Sequence, residues 1–264
     1  MNRFYYAARV ALYLYSFAVF GLMCVLFLPV AVPVSLLPKS WRLKCRPWVR
    51  TIVQRGFTFI RWHCRVTGFA TMKVIDHRGD RRSPLMIANH LSMFDIVLLF
   101  GFIPGIQTLV NSKFAMNPLL RPTIQAAGYI PVNVKRPLDG VRAFEELEKS
   151  LGAGEVVALF PEGTRSATGQ LSTLKKGPFR LAEELSIAPG YIFFTCNQPF
   201  LNRAAFFPRS GGEVVLEAHL FPPSEDFLGQ DAQAWKKDFI AKYQSFQKSN
   251  LALAWNRYKD QHGA

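Results

Sequence analysis

An uncharged stretch of 29 residues, Val10 to Pro38, constrains this chain more than any other feature. About 20 apolar residues suffice for a helix to cross the hydrocarbon core of a bilayer, so the stretch is long enough to be a membrane segment. It is longer than the roughly 7–15 apolar residues of a signal-peptide core, and a basic cluster follows it. The sequence therefore predicts a retained membrane-anchoring and interfacial segment over residues 1–65.

The form of this segment has two alternatives. Pro29 and Pro33 disrupt a continuous helix, because each removes a backbone donor. The chain either crosses the membrane once over Val10–Leu28 with a proline-rich exit, or forms a helical hairpin that dips into one leaflet. Basic residues are more numerous after the run than before it, which by the positive-inside rule places the rest of the chain on the cytoplasmic side of the inner membrane.

The net charge of the 264-residue chain is +14, and its distribution predicts the partner. Residues 1–82 carry +12 of this charge, and residues 83–264 carry only +2. Basic surfaces attract nucleic acid or anionic lipid, but no nucleic-acid motif is present and the charge lies beside the apolar run. Residues 39–66 contain both basic and aromatic residues, a composition typical of a helix at a lipid surface or of an amphipathic helix packed on its own domain. The predicted partner is a lipid bilayer and not nucleic acid.

From Val66 onward, short apolar segments alternate with helical ones, which predicts an α/β fold with a mixed sheet flanked by helices. The predicted strands are Met72–Ile75, Leu85–Ala88, Thr108–Val110, Tyr129–Val134, Val156–Phe160, Tyr191–Thr195 and Val214–Ala218. The predicted helices are Ser92–Phe102, Pro118–Ala127, Gly140–Leu151 and Lys176–Leu185. Ser210-Gly211-Gly212 predicts a hairpin turn before the last strand. No linker divides residues 66–230, so we predict one domain there and a helical tail over 231–264.

No metal site is predicted. The cysteines lack C-x-x-C spacing, and the histidines outside the motifs have no clustered cysteines or carboxylates at zinc-ligand spacing. The cysteines are Cys24, Cys45, Cys64 and Cys196.

The segment Asn89–Asp95 directly follows a predicted strand, and open α/β sheets bind ligands at strand ends. His90 and Asp95 would lie about 140° apart on one ideal helix, so they pair only if His90 is in the loop and Asp95 in the first helical turn. Such a pair acts as a general base whose tautomer is fixed by the carboxylate. The structural alternative is that Ser92 and Asp95 form a capping box and His90 fills the loop. No G-x-S-x-G elbow is present, so a base here suits direct attack by a substrate hydroxyl.

A second block, Pro161–Ser166, follows the predicted strand Val156–Phe160. Gly163 permits a tight turn with the backbone close to a ligand, and Arg165 has a planar fork that suits phosphate or carboxylate. This loop is either an anion-binding site or a surface turn in which Glu162 pairs with Arg165.

Together the two blocks, in this order and about 70 residues apart, resemble the glycerolipid acyltransferase family, whose best-known members are 1-acylglycerol-3-phosphate acyltransferases. The similarity covers roughly Val66–Phe221 and includes Lys113, Pro118 and Gly128–Val132. It implies a glycerol-3-phosphate acyltransferase-like fold. It also implies transfer of a fatty acyl chain from acyl-CoA or acyl-carrier protein, as co-substrate and without a cofactor, to the hydroxyl of a lysolipid, foremost 1-acylglycerol-3-phosphate.

The resemblance also implies roles for single residues, with His90 as the base and Asp95 as its partner. It places the acceptor's head group against Glu162, Gly163, Thr164 and Arg165, with Lys113, Lys135 and Arg136 as further cations. The family commonly has an Asp-Arg pair after Val132, and its arginine is associated with the acceptor phosphate. Here Asn133-Val134 stand in those places.

This departure leaves the acceptor open. Either the positive charge has moved along the loop to Lys135-Arg136, or the acceptor's anionic group differs. The alternative acceptor is another lysolipid, such as a lyso-ornithine lipid. The alternative of another class is a membrane lipid- or acyl-binding protein without catalysis.

Overall fold

The computed structural model describes residues 3–133, 136–205, 207, 213–224 and 231–249. In this part of the chain, helices and strands form three layers, with a central sheet between two helical layers. The helices are α1 (Arg3–Leu36), α2 (Lys39–Val66), α3 (Phe94–Phe102), α4 (Ser112–Met116), α5 (Arg121–Ala127), α6 (Pro137–Gly152), α7 (Gly177–Glu184) and α8 (Ala232–Ser249). The strands are β1 (Ala70–Asp76), β2 (Leu85–Ala88), β3 (Gln107–Asn111), β4 (Ile130–Val132), β5 (Val157–Leu159), β6 (Gly190–Cys196) and β7 (Val214–Phe221).

The predicted mixed α/β fold is confirmed, and every predicted strand and helix overlaps an observed one. The sequence missed α4, because five residues are too few to show a helical period. The predicted turn at Ser210-Gly211-Gly212 lies outside the described residues. The strands on either side of it, β6 and β7, do pair in antiparallel fashion.

The order of strands in the sheet is β1-β7-β6-β2-β5-β3-β4. The strands from β6 to β4 in this order are parallel to one another, whereas β7 is antiparallel to β6 and β1 follows the direction of β7. The loops after β2, β3, β4, β5 and β6 therefore leave the same edge of the sheet. Because neighbouring strands are about 4.8 Å apart, the loops after β5 and β6 lie closest to the loop after β2.

The apolar run forms one uninterrupted helix of 34 residues, α1, which includes Pro29 and Pro33. Neither an exit after Leu28 nor a hairpin within the run is present. The physical reason is that a proline removes one hydrogen bond from a helix, whereas reversing the chain requires several non-helical residues. The hairpin is instead made by α1 and α2, since Ser16 Oγ lies 3.3 Å from His63 Nε2 and Phe20 packs on Phe57.

Helix α2 shows the packing on its own domain that was one alternative for residues 39–66, and contact of its other face with lipid stays a prediction. On the domain side, the Arg50 guanidinium is buried and donates to the carbonyls of Ala127 (2.9 Å) and Gly105 (3.0 Å). The opposite side presents aromatic rings to the exterior, and Trp41, for example, is 60% exposed. The helix is therefore fixed to the domain through one face while its aromatic face is free for another contact.

Two apolar cores lie on the two faces of the sheet. The first contains Tyr13 of α1, which is fully buried against Phe69 and Phe200. The second contains Phe239 of α8, packed on Phe193 of β6. The predicted division into residues 1–65, 66–230 and 231–264 stays a prediction, and each of these cores includes side chains from both sides of one of its boundaries.

Two histidines are in contact, the buried His219 on β7 and the exposed His77 directly after β1. His77 Nε2 is 3.1 Å from His219 Nδ1, and His219 Nε2 is 3.3 Å from Glu217 Oε2. Burial lowers the pKa of His219, and the hydrogen bond and charge of Glu217 oppose that shift. The neutral imidazole is therefore the form that the folded state favours.

We expect the His219→Gln variant to lose less free energy of unfolding than the wild type when the pH falls from 7.5 to 5.5. Because the folded-state pKa of His219 is lowered, its contribution is fully present above the unfolded pKa of about 6.5 and is lost as the pH falls through the folded value. Urea unfolding in detergent at pH 7.5 and pH 5.5 measures this. The wild type should lose more stability between the two pH values than the variant, and equal losses would contradict the expectation.

Candidate active site

His90 and Asp95 meet at the carboxyl end of β2. The strand ends at Ala88 and α3 begins at Phe94, so the intervening residues bend away from helical geometry. His90 Nδ1 consequently lies 2.9 Å from Asp95 Oδ2. The structure thus brings the predicted pair together in the predicted way, with the histidine in the loop and the aspartate in the first helical turn.

The surroundings of the pair fix the orientation of the imidazole. Asp95 is fully buried and His90 is 15% exposed, so the carboxylate lies behind the ring. The ring also stacks on Phe160, with 4.3 Å between centroids. With Nδ1 directed to Asp95, the other ring nitrogen, Nε2, is left for a substrate.

Asp95 also organises the loop, although the predicted capping box is only half formed. Its Oδ2 atom accepts the backbone N–H groups of Leu91 (2.6 Å) and Ser92 (2.9 Å). Ser92 does supply a cap, since its hydroxyl accepts from the N–H of Phe94 (3.2 Å), and Met93, the residue directly before the helix, makes no side-chain cap bond. The helix begins later than predicted because the bend that pairs His90 with Asp95 uses these residues.

The loop after β5 holds the His90 peptide from both sides. The N–H of His90 donates to Glu162 Oε1 (2.8 Å), and the His90 carbonyl accepts from the N–H of Ser166 (2.7 Å). Two motifs that are distant in sequence are therefore one site in space, because β5 is the neighbour of β2.

Glu162 was predicted to contact the head group of the acceptor, but in the structure its carboxylate contacts other residues of the protein. Its second oxygen accepts the N–H (3.0 Å) and the hydroxyl (2.8 Å) of Ser172, and the side chain is 4% exposed. Burial raises the pKa of Glu162, and the donors from His90 and Ser172 act in the opposite direction. Both oxygens are thus occupied by protein donors, and no ion pair with Arg165 occurs among the described residues. The carboxylate connects the loops after β2 and β5.

Arg165 reaches from the β5 loop to the loop after β6. Its guanidinium is half-buried and donates to the carbonyl of Leu201 (2.5 Å). Burial lowers the pKa of Arg165, while the charge of Asp95 opposes this shift. The guanidinium therefore lies close enough to the His90–Asp95 pair to interact with it electrostatically.

Gly163 adopts a positive φ of 66° and lies beneath a lysine that the sequence reasoning did not single out as a site residue. The Lys175 ammonium would be 2.9 Å from a Cβ atom at Gly163, so any side chain there would displace it. Thr164 is exposed. This turn therefore brings Lys175 against Gly163, and only the proximity of Lys175 to the motif in sequence could have suggested it.

The other predicted cations lie farther from the pair. Lys113 follows β3 and Arg136 follows β4, which are two and three strands from β2. Both are exposed, and no hydrogen bond or ion pair in the described part of the chain joins either of them to His90, Asp95 or Arg165. Lys135 lies outside the described residues. Strand order, which the sequence did not reveal, explains this separation.

Asn89 is a further site residue that sequence reasoning missed. Its side chain is fully buried and donates to the Phe194 carbonyl (3.0 Å), while its oxygen accepts the Phe194 N–H (2.7 Å). Burial raises the pKa of Tyr243 on α8, and the polar side chain of Asn89 acts in the opposite direction. The two hydrogen bonds with Phe194 attach Asn89, the residue directly before His90, to β6. Among the described residues, no group of three or more His, Cys, Asp or Glu side chains is placed to hold a metal ion.

Comparison with known proteins then places the chain in a family. The model of the Acyltransferase family matches residues 57–196, which is more than half of the chain. The chain belongs to this acyltransferase family. The predicted resemblance is confirmed, and the matched range includes both motifs of the site.

Two relatives and one solved structure illustrate the similarity. The 1-acyl-sn-glycerol-3-phosphate acyltransferase of Cocos nucifera is 30% identical over 145 residues, which are 52% of this chain and 46% of that protein. The lyso-ornithine lipid O-acyltransferase of Rhizobium meliloti is 29% identical over 169 residues, covering 62% and 54%. The chain thus spans about half the length of these relatives. The crystal structure of the 1-acyl-sn-glycerophosphate (LPA) acyltransferase PlsC from Thermotoga maritima has the same fold, with a TM-score of 0.59, 19% identity, and coverage of 92% of this chain and 98% of that one.

Proposed function

We propose that this acyltransferase moves a fatty acyl chain from acyl-CoA or acyl-carrier protein to the free hydroxyl of 1-acylglycerol-3-phosphate, giving phosphatidate. The observation that carries this proposal is the His90–Asp95 pair, held at the sheet edge by Glu162 and Ser166. The family match and the printed activities of relatives such as the Cocos nucifera protein support the class of reaction and the acceptor.

In the proposed mechanism, His90 Nε2 takes the proton of the acceptor hydroxyl as the oxygen attacks the thioester carbonyl carbon. Asp95 stabilises the imidazolium, and backbone N–H groups of the strand-end loops stabilise the oxyanion. The C–S bond of the tetrahedral intermediate then breaks, and His90 gives its proton to the departing thiolate. The products are the acylated lipid and the free thiol.

A product assay tests this function. Purified protein in detergent receives one labelled acyl-CoA or one acyl-carrier protein together with a panel of lysolipids, and mass spectrometry identifies the product. We expect phosphatidate from 1-acylglycerol-3-phosphate. The absence of acyl transfer with every donor and acceptor would overturn the proposal and favour a lipid-binding role.

A second acceptor has support of its own. The similarity to the lyso-ornithine lipid O-acyltransferase covers more of this chain than the similarity to the Cocos nucifera protein. Asn133-Val134 also lack the charge that the family places there. Acylation of a lyso-ornithine lipid without acylation of 1-acylglycerol-3-phosphate would establish this alternative.

We also propose that α1 lies along the bilayer surface within one leaflet. In the described residues, only this helix is long and apolar enough to cross a membrane, and 17% of its most apolar part is buried. The domain holds it near its start, where Arg9 donates to the Gly68 carbonyl (2.8 Å), and α1 also packs on α5. A helix packed along the domain cannot cross the bilayer without taking the domain with it. Its outward side chains, such as Leu22 and Leu26, would then contact lipid.

We expect a Leu22→Asp/Leu26→Asp variant to lose membrane binding by at least about 100-fold, because each exposed leucine that enters lipid is replaced by a charge. Flotation with vesicles containing phosphatidylglycerol measures this. High salt should not release the wild type, since apolar burial is not screened. Arg180→Asp on α7, on the opposite face of the sheet, is the control. Unchanged flotation of the double variant would exclude lipid contact by this face.

A further inference from the structure

The loop after β6 reaches the active site, although neither motif includes it. β6 is the parallel neighbour of β2, so this loop leaves the sheet beside His90. The Leu201 carbonyl accepts two donors, the N–H of Met93 (3.1 Å) and the Arg165 guanidinium (2.5 Å). The loop is therefore fixed both to the residue before α3 and to the motif that contains Arg165.

Arg203 is held in a tight turn of this loop. The Asn202 side-chain oxygen accepts the N–H groups of Ala204 (2.9 Å) and Ala205 (2.6 Å), which lie directly after Arg203. Leu201 has a φ of 48°, a left-handed conformation that a leucine adopts only where its surroundings enforce it. The backbone of Arg203 is thus fixed while its side chain is exposed.

Arg165 and Arg203 bring two positive charges to the same loop. The Arg165 guanidinium contacts the Leu201 carbonyl, and Arg203 follows Leu201 by two residues, so both arginines lie at the same loop. The positive charge of Arg203 accordingly contributes to the lowered pKa of Arg165. Neither arginine forms an ion pair with a carboxylate in the described part of the chain. Asp95, whose charge acts on Arg165, already accepts from His90 and from two backbone N–H groups. Two arginines at one loop without an ion pair to a described carboxylate suit an anionic ligand.

We propose that Arg203 and Arg165 together bind the phosphate of the acceptor. Arg203 would thereby supply, from the loop after β6, the positive charge that is missing at Asn133-Val134. This inference rests on the proposed function and narrows its substrate class to lysolipids with a terminal phosphate. A dianionic phosphate can accept two planar guanidinium forks, whereas an ornithine head group brings its own ammonium charge against them.

The test compares Arg203→Ala, Arg203→Lys and the control Arg180→Ala, an exposed arginine on α7. Equilibrium binding of fluorescent 1-acylglycerol-3-phosphate in detergent is measured first, and the KM values for this acceptor, for uncharged monoacylglycerol and for the acyl donor are measured second. We expect Arg203→Ala to raise the Kd and KM for the phosphate-bearing acceptor about tenfold. The KM values for monoacylglycerol and for the donor should not change, Arg203→Lys should recover part of the loss, and Arg180→Ala should match the wild type.

Unchanged acceptor binding in Arg203→Ala would overturn the inference, and so would an equal rise for monoacylglycerol, which would show that the arginine only shapes the loop. These outcomes leave the proposed function intact if the wild type still makes phosphatidate. A wild type that binds the phosphate-bearing acceptor through Arg203 but transfers no acyl chain would overturn the proposed function and keep the subsite.

Discussion

Replacing His90 by alanine is expected to lower kcat about a thousandfold, which is within the range that a positioned general base contributes. The KM for the acceptor and the melting temperature should change little, because the backbone contacts of residue 90 to Glu162 and Ser166 remain and Asp95 still accepts two backbone N–H groups. Steady-state kinetics with 1-acylglycerol-3-phosphate and an acyl donor measure the effect. A thermal unfolding curve shows whether the variant is folded.

His77→Ala is the matched control for this substitution. It also removes an imidazole that contacts a neighbouring side chain, His219, but it lies at the end of β1, away from the site. Its kcat should equal that of the wild type. Turnover by His90→Ala within a few-fold of the wild type would exclude His90 as the base.

Replacing Glu162 by alanine is expected to reduce both stability and turnover. The change leaves the His90 N–H and two Ser172 donors without their acceptor in a buried place, at a cost of about 3 kcal/mol. For a chain of this size, that corresponds to a decrease of roughly 6–12 °C in Tm. We expect kcat to fall about tenfold or more as well, because the peptide that positions the imidazole loses one of its two holding contacts.

Glu184→Ala, an exposed change on α7, controls for loss of a carboxylate and should leave Tm and kcat unchanged. Measuring Tm together with the acceptor KM distinguishes two roles of Glu162. The sequence predicted that it binds the acceptor's head group, whereas its contacts indicate that it supports the loop of His90. If Glu162 held the acceptor's head group, its removal would raise the acceptor KM at constant Tm. That result would contradict the role of Glu162 in supporting the loop of His90.

Local sequence was sufficient for much of the site. The spacing of His90 and Asp95 allows pairing only in a bend, and the bend is present because Asp95 accepts the N–H groups of the loop itself. The strands were equally predictable, since a short apolar run between two turns is too short for a helix and in an α/β chain usually forms a strand. These features depend on residues within one turn or one strand.

Contacts between distant segments were not predictable in the same way. The sequence placed the additional cations at Lys113 and Arg136, after strands that the sheet order puts two and three positions away from β2. The loop after β6 carries Arg203 and had no motif, yet β6 is a direct neighbour of β2. Pairing partners of strands are set by the packing of the whole domain, which no local pattern records.

The sequence by itself therefore determined the apolar N-terminal helix, the alternating α/β organisation and the two motifs, because each follows from the chemistry of contiguous residues. Only the tertiary structure decided that α1 continues through Pro29 and Pro33 and folds back on α2. It likewise decided that Glu162 holds the His90 loop and that Arg165 meets the loop of Arg203. The physical reason is that burial and strand order convert side chains remote in sequence into neighbours, and those neighbours determine which groups are left free for a substrate.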